Sequence, residues 1–60
     1  MEIDEEIAIA WNNKGYVHTI LGQYDEAIVC FDRALYLEPE DETARKNRSI
    51  AERRRTSESG

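Results

Sequence analysis

The chain has 60 residues, of which 40% are hydrophobic and 35% are charged. This length suits one small domain. The composition is too apolar for a disordered chain, and no apolar run is long enough for a membrane span or a signal peptide. We therefore expect a soluble, cytoplasmic domain. Charge is unevenly distributed, because residues 1–42 carry 11 acidic and 2 basic side chains, whereas residues 43–60 carry 2 acidic and 6 basic ones.

Two helices are predicted in the first two thirds of the chain. The first spans about residues 4–21, with Asp4 as its N-cap and Gly22 as the left-handed residue that ends it. The second spans about residues 24–37 and ends before Pro39, since the residue preceding a proline avoids helical angles. Apolar residues recur along the second helix at steps of three and four, which predicts one buried stripe. They are Tyr24, Ala27, Ile28, Phe31, Ala34 and Leu35.

A third helix is predicted over about residues 41–54, with Asp41 as its N-cap. Its apolar content is confined to Ala44, Ile50 and Ala51. Residues 1–54 are predicted to form the domain, and residues 55–60, which have no packing residues, a disordered tail. The short connection between the first two helices makes them antiparallel neighbours, with Gly15 and Ala27 where their backbones approach.

Five residues have the spacing of a known repeat: Trp11, Gly15, Ala27, Phe31 and Pro39. Together with the segments GQYDEAI and ALYLEP, they resemble the tetratricopeptide repeat (TPR), a 34-residue helix–turn–helix with the pattern W-x2-L-G-x2-Y, A-x3-F and P. The resemblance covers about residues 8–41. It implies an all-α fold, in which an antiparallel helix–turn–helix hairpin is followed by a third, capping helix.

The third helix has features of a second copy of the first. A shift of 34 residues places Asn13 on Asn47 and Gly15 on Ser49, but it places Trp11 on Arg45. Terminal helices of stacked repeats need a polar outer side, because no further repeat covers them. We therefore interpret the third helix as a C-terminal cap on a single repeat.

No catalytic or metal-binding pattern is found in the sequence. Cys30 is the only cysteine, so it forms no intramolecular disulfide, and one cysteine with one histidine does not suffice for a protein-only structural zinc site. No residue is placed to orient His18 as a catalytic base, and no glycine-rich phosphate loop is present. We therefore expect no enzymatic activity, no metal and no cofactor.

In the family, the first helix of each repeat lines a concave groove that binds extended peptides. The resemblance therefore implies a protein or peptide partner, and a scaffold or adaptor function. The corresponding side of the first helix carries Ile9, Asn12, Asn13, Tyr16, Thr19 and Ile20, and the third helix adds Thr43, Lys46, Asn47 and Ile50. The alternative is an ordinary solvated helix surface.

A second function, self-association, is suggested by the other side of the first helix. Ile3, Ile7 and Trp11 form an apolar stripe there, and Lys14 and His18 stand where the family pattern has leucine and tyrosine. We interpret these five residues as the edge of a repeat with no repeat before it, which two copies could bury in a homodimer.

The basic run RKNRSIAERRR allows two other interpretations, a nucleic-acid arm and a kinase motif ahead of Thr56 and Ser57. It has no aromatic residue for stacking on bases, and the acidic body beside it would repel phosphate. We favour a solubilising cap helix whose positive residues near its C-terminus suit the helix dipole.

Overall fold

The computed structural model describes residues 5–59 and contains three helices: α1 (Glu5–Ile20), α2 (Tyr24–Leu37) and α3 (Glu42–Ser59). Within that range there is no strand. The prediction of an all-α helical hairpin with a third helix is confirmed. The bounds of α1 and α2 lie within one residue of the predicted ones. The predicted N-cap Asp4 and the predicted apolar residue Ile3 lie outside the described residues.

The α1–α2 turn is built around Gly22. Its φ of 80° is left-handed, where a residue without Cβ is not strained. The N–H of Gly22 donates to the carbonyl of Thr19 at 3.2 Å, and the N–H of Gln23 donates to that of His18 at 2.8 Å. This pair of bonds is the Schellman motif, which satisfies the last carbonyls of α1 and reverses the chain.

Helix α2 lies between α1 and α3, which touch each other only slightly. Seven hydrophobic residues have less than 9% of their surface exposed and form the core: Ala8, Ala27, Cys30, Phe31, Ala34, Ala44 and Ala51. Five of the seven are alanine, so the helices approach closely, and Phe31 is the largest fully buried side chain among the described residues. Gly15 permits this approach, since a Cβ there would lie 2.7 Å from Cε1 of Phe31.

The start of α3 is fixed by Asp41. Its Oδ1 accepts a hydrogen bond from the N–H of Ala44 at 3.2 Å, as the predicted N-cap requires. Its Oδ2 accepts a second hydrogen bond, from Nδ2 of Asn12 in α1, at 2.8 Å. One carboxylate therefore joins the first helix to the start of the third.

The end of α3 differs from the prediction. The helix continues to Ser59, so residues 55–59, predicted as part of a disordered tail, are helical. Arg55 forms a 2.7 Å ion pair with Asp25, and the hydroxyl of Tyr24 donates a hydrogen bond to the carboxylate of Glu58. These contacts fasten the last two turns of α3 to the first turn of α2.

Candidate functional site

A groove lies between α1 and α3. It is lined by Tyr16, Thr19 and Ile20 from α1 and by Asn47, Ile50 and Arg54 from α3, and Phe31 of α2 closes its floor. Tyr16 and Ile20 are 56% and 63% exposed. The walls are therefore apolar surface open to solvent, and an amide and a guanidinium lie beside them.

The groove is small. It encloses about 200 Å³, below the roughly 300–1,000 Å³ of typical small-molecule sites. Asn47 offers both a donor and an acceptor, and Arg54 offers donors only. This chemistry suits an extended segment with one apolar side chain and a nearby carbonyl or carboxylate oxygen.

Five of the predicted partner-binding residues meet in this groove: Tyr16, Thr19, Ile20, Asn47 and Ile50. Ile9 lies elsewhere, in a shallow depression with Ala8, Glu38 and Asp41 near the α2–α3 connection. Asn13 and Lys46 are exposed on their helices and are not among the residues that line the groove.

Two of the predicted contact residues are used inside the protein. Thr19 is 8% exposed, and its hydroxyl donates to the carbonyl of Gly15 at 2.8 Å. Asn12 is occupied by its hydrogen bond to Asp41, and its Oδ1 is buried without a partner among the described residues. The Thr19 hydroxyl and the Asn12 amide are thus engaged in contacts within the protein, and Thr19 also lines the groove. The helical pattern placed them on the correct side of α1, but α2, the connection after it and α3 cover that side in part.

Arg54 is a groove residue that the sequence interpretation missed. The 34-residue shift that aligns Asn13 with Asn47 also aligns Ile20 with Arg54. Asn47, Ile50 and Arg54 follow at steps of three and four, which places them on one side of α3. This spacing indicates a groove position for Arg54, although the residue also belongs to the basic run.

A second surface lies on the opposite side of the hairpin. We call it the outer face. It is lined by Trp11, Lys14 and His18 from α1 and by Asp25, Glu26, Val29 and Cys30 from α2. It brings together three of the five residues predicted for self-association. Ile7 is 46% exposed one turn before Trp11, and Ile3 lies outside the described residues.

Trp11 is the centre of a cationic cluster on the outer face. The Lys14 ammonium is 5.5 Å from the centroid of its ring, and the Arg33 guanidinium is 5.9 Å from it. Both distances allow cation–π attraction. Lys14 therefore shields the apolar ring and keeps its charge in water, which explains how a lysine replaces the leucine of the family pattern.

His18 and Cys30 show no catalytic arrangement. Nδ1 of His18 donates to Oε1 of Gln23 at 2.6 Å, which ties the ring to the turn after α1. Cys30 is buried, and burial raises the pKa of its thiol, so the thiolate is disfavoured. Among residues 5–59, no three histidine, cysteine, aspartate or glutamate side chains are grouped to hold a metal ion. No helix in that range is sufficiently long and apolar to span a bilayer.

Comparison with known protein families gives one match. The tetratricopeptide repeat family matches residues 8–41, which is more than half of the chain and extends from α1 to the connection before α3. Comparison with curated proteins and with solved structures gives no match. The hairpin, the close contact of Gly15 with Phe31 and the family match agree, and the chain belongs to the tetratricopeptide repeat family.

Proposed function

We propose that this protein is a non-catalytic adaptor that binds an extended, acidic peptide segment of a protein partner in the groove between α1 and α3. Tetratricopeptide repeats mediate protein–protein interaction. The observation that carries the proposal is the pairing of exposed apolar walls, Tyr16 and Ile20, with the guanidinium of Arg54 in one groove. An apolar side chain of the peptide would fill the groove, and an acidic group would meet Arg54.

The charge distribution supports an acidic segment at this place. Arg54 is the charged side chain among the residues that line the groove, and Arg53 and Arg55 flank it in the sequence of α3, where Arg55 is paired with Asp25. A peptide approaching from this side meets positive charge first, although the whole chain carries a net charge of −5.

The test is an NMR titration of the ¹⁵N-labelled protein with a hexapeptide of alternating leucine and glutamate. The glutamine version of the peptide serves as the control. We expect chemical shift changes at Tyr16, Ile20 and Asn47 that saturate with the acidic peptide. In the Arg54→Ala variant, the affinity for this peptide should fall about tenfold. The matched variant is Arg53→Ala, which removes the same charge outside the groove. Equal effects of both variants, or shifts confined to the end of α3, would contradict binding in the groove.

A second candidate function is self-assembly through the outer face. Val29 is 58% exposed there and Ile7 is 46% exposed beside Trp11. Together they leave apolar surface that a second copy could cover. Sedimentation equilibrium over about a hundredfold range of protein concentration tests this function, and a protein that stays monomeric at about 1 mM lacks it.

A further inference from the structure

The exposed side of α2 carries a pattern that is complementary to itself. Glu26, Val29, Arg33 and Tyr36 follow at steps of three, four and three residues, so they form one ridge along the helix. All four are exposed, Val29 at 58% and Tyr36 at 80%. We call these four residues the α2 ridge.

The two charges of the ridge have opposite signs and lie on either side of Val29. Seven residues, about 10 Å of helix, separate Glu26 from Arg33. Glu26 forms no ion pair within residues 5–59. Arg33 lies against the Trp11 ring, which holds its guanidinium on the outer face.

We infer that the α2 ridge binds the α2 ridge of a second copy in antiparallel orientation, about a two-fold axis beside Val29. This inference rests on the second candidate function, self-assembly, and specifies its contact. With the two-fold axis beside Val29, a residue a few positions before the axis in one copy faces the residue equally far after it in the other copy. Glu26 of each copy then faces Arg33 of the other, and Val29 lies at the crossing point. A two-fold axis repeats every contact, so the pair forms two ion pairs.

The positions of Glu26 and Arg33 along α2 favour an antiparallel over a parallel pair of copies. A parallel pair would place glutamate against glutamate and arginine against arginine, which is repulsive. One 14-residue helix presents less surface than the roughly 800 Å² per partner of stable complexes. We therefore expect a weak dimer that is populated near 1 mM protein.

A charge-swap experiment tests the contact. Sedimentation equilibrium is measured for the wild type, for Glu26→Arg, for Arg33→Glu, for an equimolar mixture of the two variants and for the double variant. Each single variant places like charges together at both positions, and we expect its dimer dissociation constant to rise about tenfold. In the mixture, and in the double variant, opposite charges face again, so association should return to within about threefold of the wild-type value.

Matched controls separate the contact from the effect of net charge. Glu40→Arg and Arg53→Glu make the same charge changes at exposed positions outside the ridge, and we expect association within about threefold of wild type. The ridge contact would be wrong if the charge reversals left the dimer dissociation constant unchanged, or if the mixture of variants did not associate more tightly than each variant alone. Self-assembly would then use another surface, such as that around Trp11. A strict monomer at about 1 mM would overturn self-assembly itself. Neither result would affect peptide binding in the groove, which lies on the other side of α2.

Discussion

Gly15 decides how closely α1 can approach α2. A Cβ built on it would lie 2.7–2.9 Å from three ring carbons of Phe31, and that ring is fully buried among alanines. Within a helix, alanine is normally favoured over glycine by about 0.5–1 kcal/mol. At this position packing and helix propensity therefore predict opposite effects. Packing should be the larger effect, because a contact of 2.7 Å forces the buried ring or a helix to shift.

We predict that Gly15→Ala destabilises the protein by about 1–3 kcal/mol, the usual cost of overpacking a core. Urea unfolding followed by circular dichroism measures the change. In a Phe31→Leu background the ring is gone, and the same Gly15→Ala change should become neutral or stabilising. If Gly15→Ala stabilised the protein with Phe31 present, α1 and α2 would have to lie further apart at Gly15 than in this structure. Gly15→Leu should prevent folding.

Cys30 allows a second test at the residue scale. The residue is 4% exposed and the pKa of its thiol is raised, chiefly by burial, so at neutral pH the thiol remains protonated. We predict that an aromatic disulfide reagent reacts with the folded protein at least about tenfold more slowly than with the urea-unfolded chain at the same pH. Equal rates would show that the core around Cys30 opens readily.

Helix α3 is held along α2 by polar contacts as well as by apolar ones. Nε of Arg48 donates to Oδ1 of Asp32 at 2.5 Å, and the Arg55 and Glu58 contacts follow two and three turns later. The two exposed ion pairs each contribute only about 0.2–1 kcal/mol, and salt weakens them. The last two turns of α3 therefore depend on a few weak bonds at the surface.

We predict that Tyr24→Phe loosens residues 55–59 and leaves residues 42–52 unchanged, as measured by amide hydrogen exchange. Tyr36→Phe is the matched control, since Tyr36 is 80% exposed and lies near the other end of α2. Loosening in both variants, or in neither, would contradict the anchoring role of the Tyr24 hydroxyl.

The same contact should depend on pH. The hydrogen bond to Glu58 is the main cause of the raised pKa of Tyr24, since ionisation of the phenol removes the donor. A folded-state pKa above the unfolded value means that the contact stabilises below about pH 10 and is lost as the pH rises further. We predict that exchange at residues 55–59 accelerates above about pH 10 beyond its normal rise, and that Tyr24→Phe lacks this excess.

At the scale of the whole molecule, local signals in the sequence suffice for the hairpin but not for contacts between distant residues. Gly22, Pro39 and Asp41 mark the helix ends, because their backbone or capping preferences act within a few residues. The length of α3 depends on Arg55 and Glu58 meeting residues at least 30 positions earlier, and the burial of Asn12 depends on Asp41, 29 positions later. Helix periodicity and capping signals involve residues only a few positions apart, so they do not predict contacts between residues about 30 positions apart.

Asp41 joins α1 to the start of α3, because it caps α3 and accepts the Asn12 hydrogen bond with the same carboxylate. We predict that Asp41→Ala lowers the free energy of unfolding by about 1–2 kcal/mol, the cost of a lost N-cap together with a lost hydrogen bond. Glu40→Ala, at the exposed position before it, should change stability by less than about 0.5 kcal/mol. Equal stability of both variants would show that Asp41 is dispensable.

The position of Trp11 makes its fluorescence a reporter of binding at the outer face. It is the only tryptophan in the chain, it is half-buried on the outer face, and two cations flank its ring. Its fluorescence responds to changes in the polarity and charge around the indole, so the emission should change when a partner covers the outer face. The groove contains no tryptophan and lies on the opposite side of the hairpin. The unmodified protein thus carries an intrinsic spectroscopic probe, whose emission should change when the outer face is occupied and stay constant when the groove is occupied.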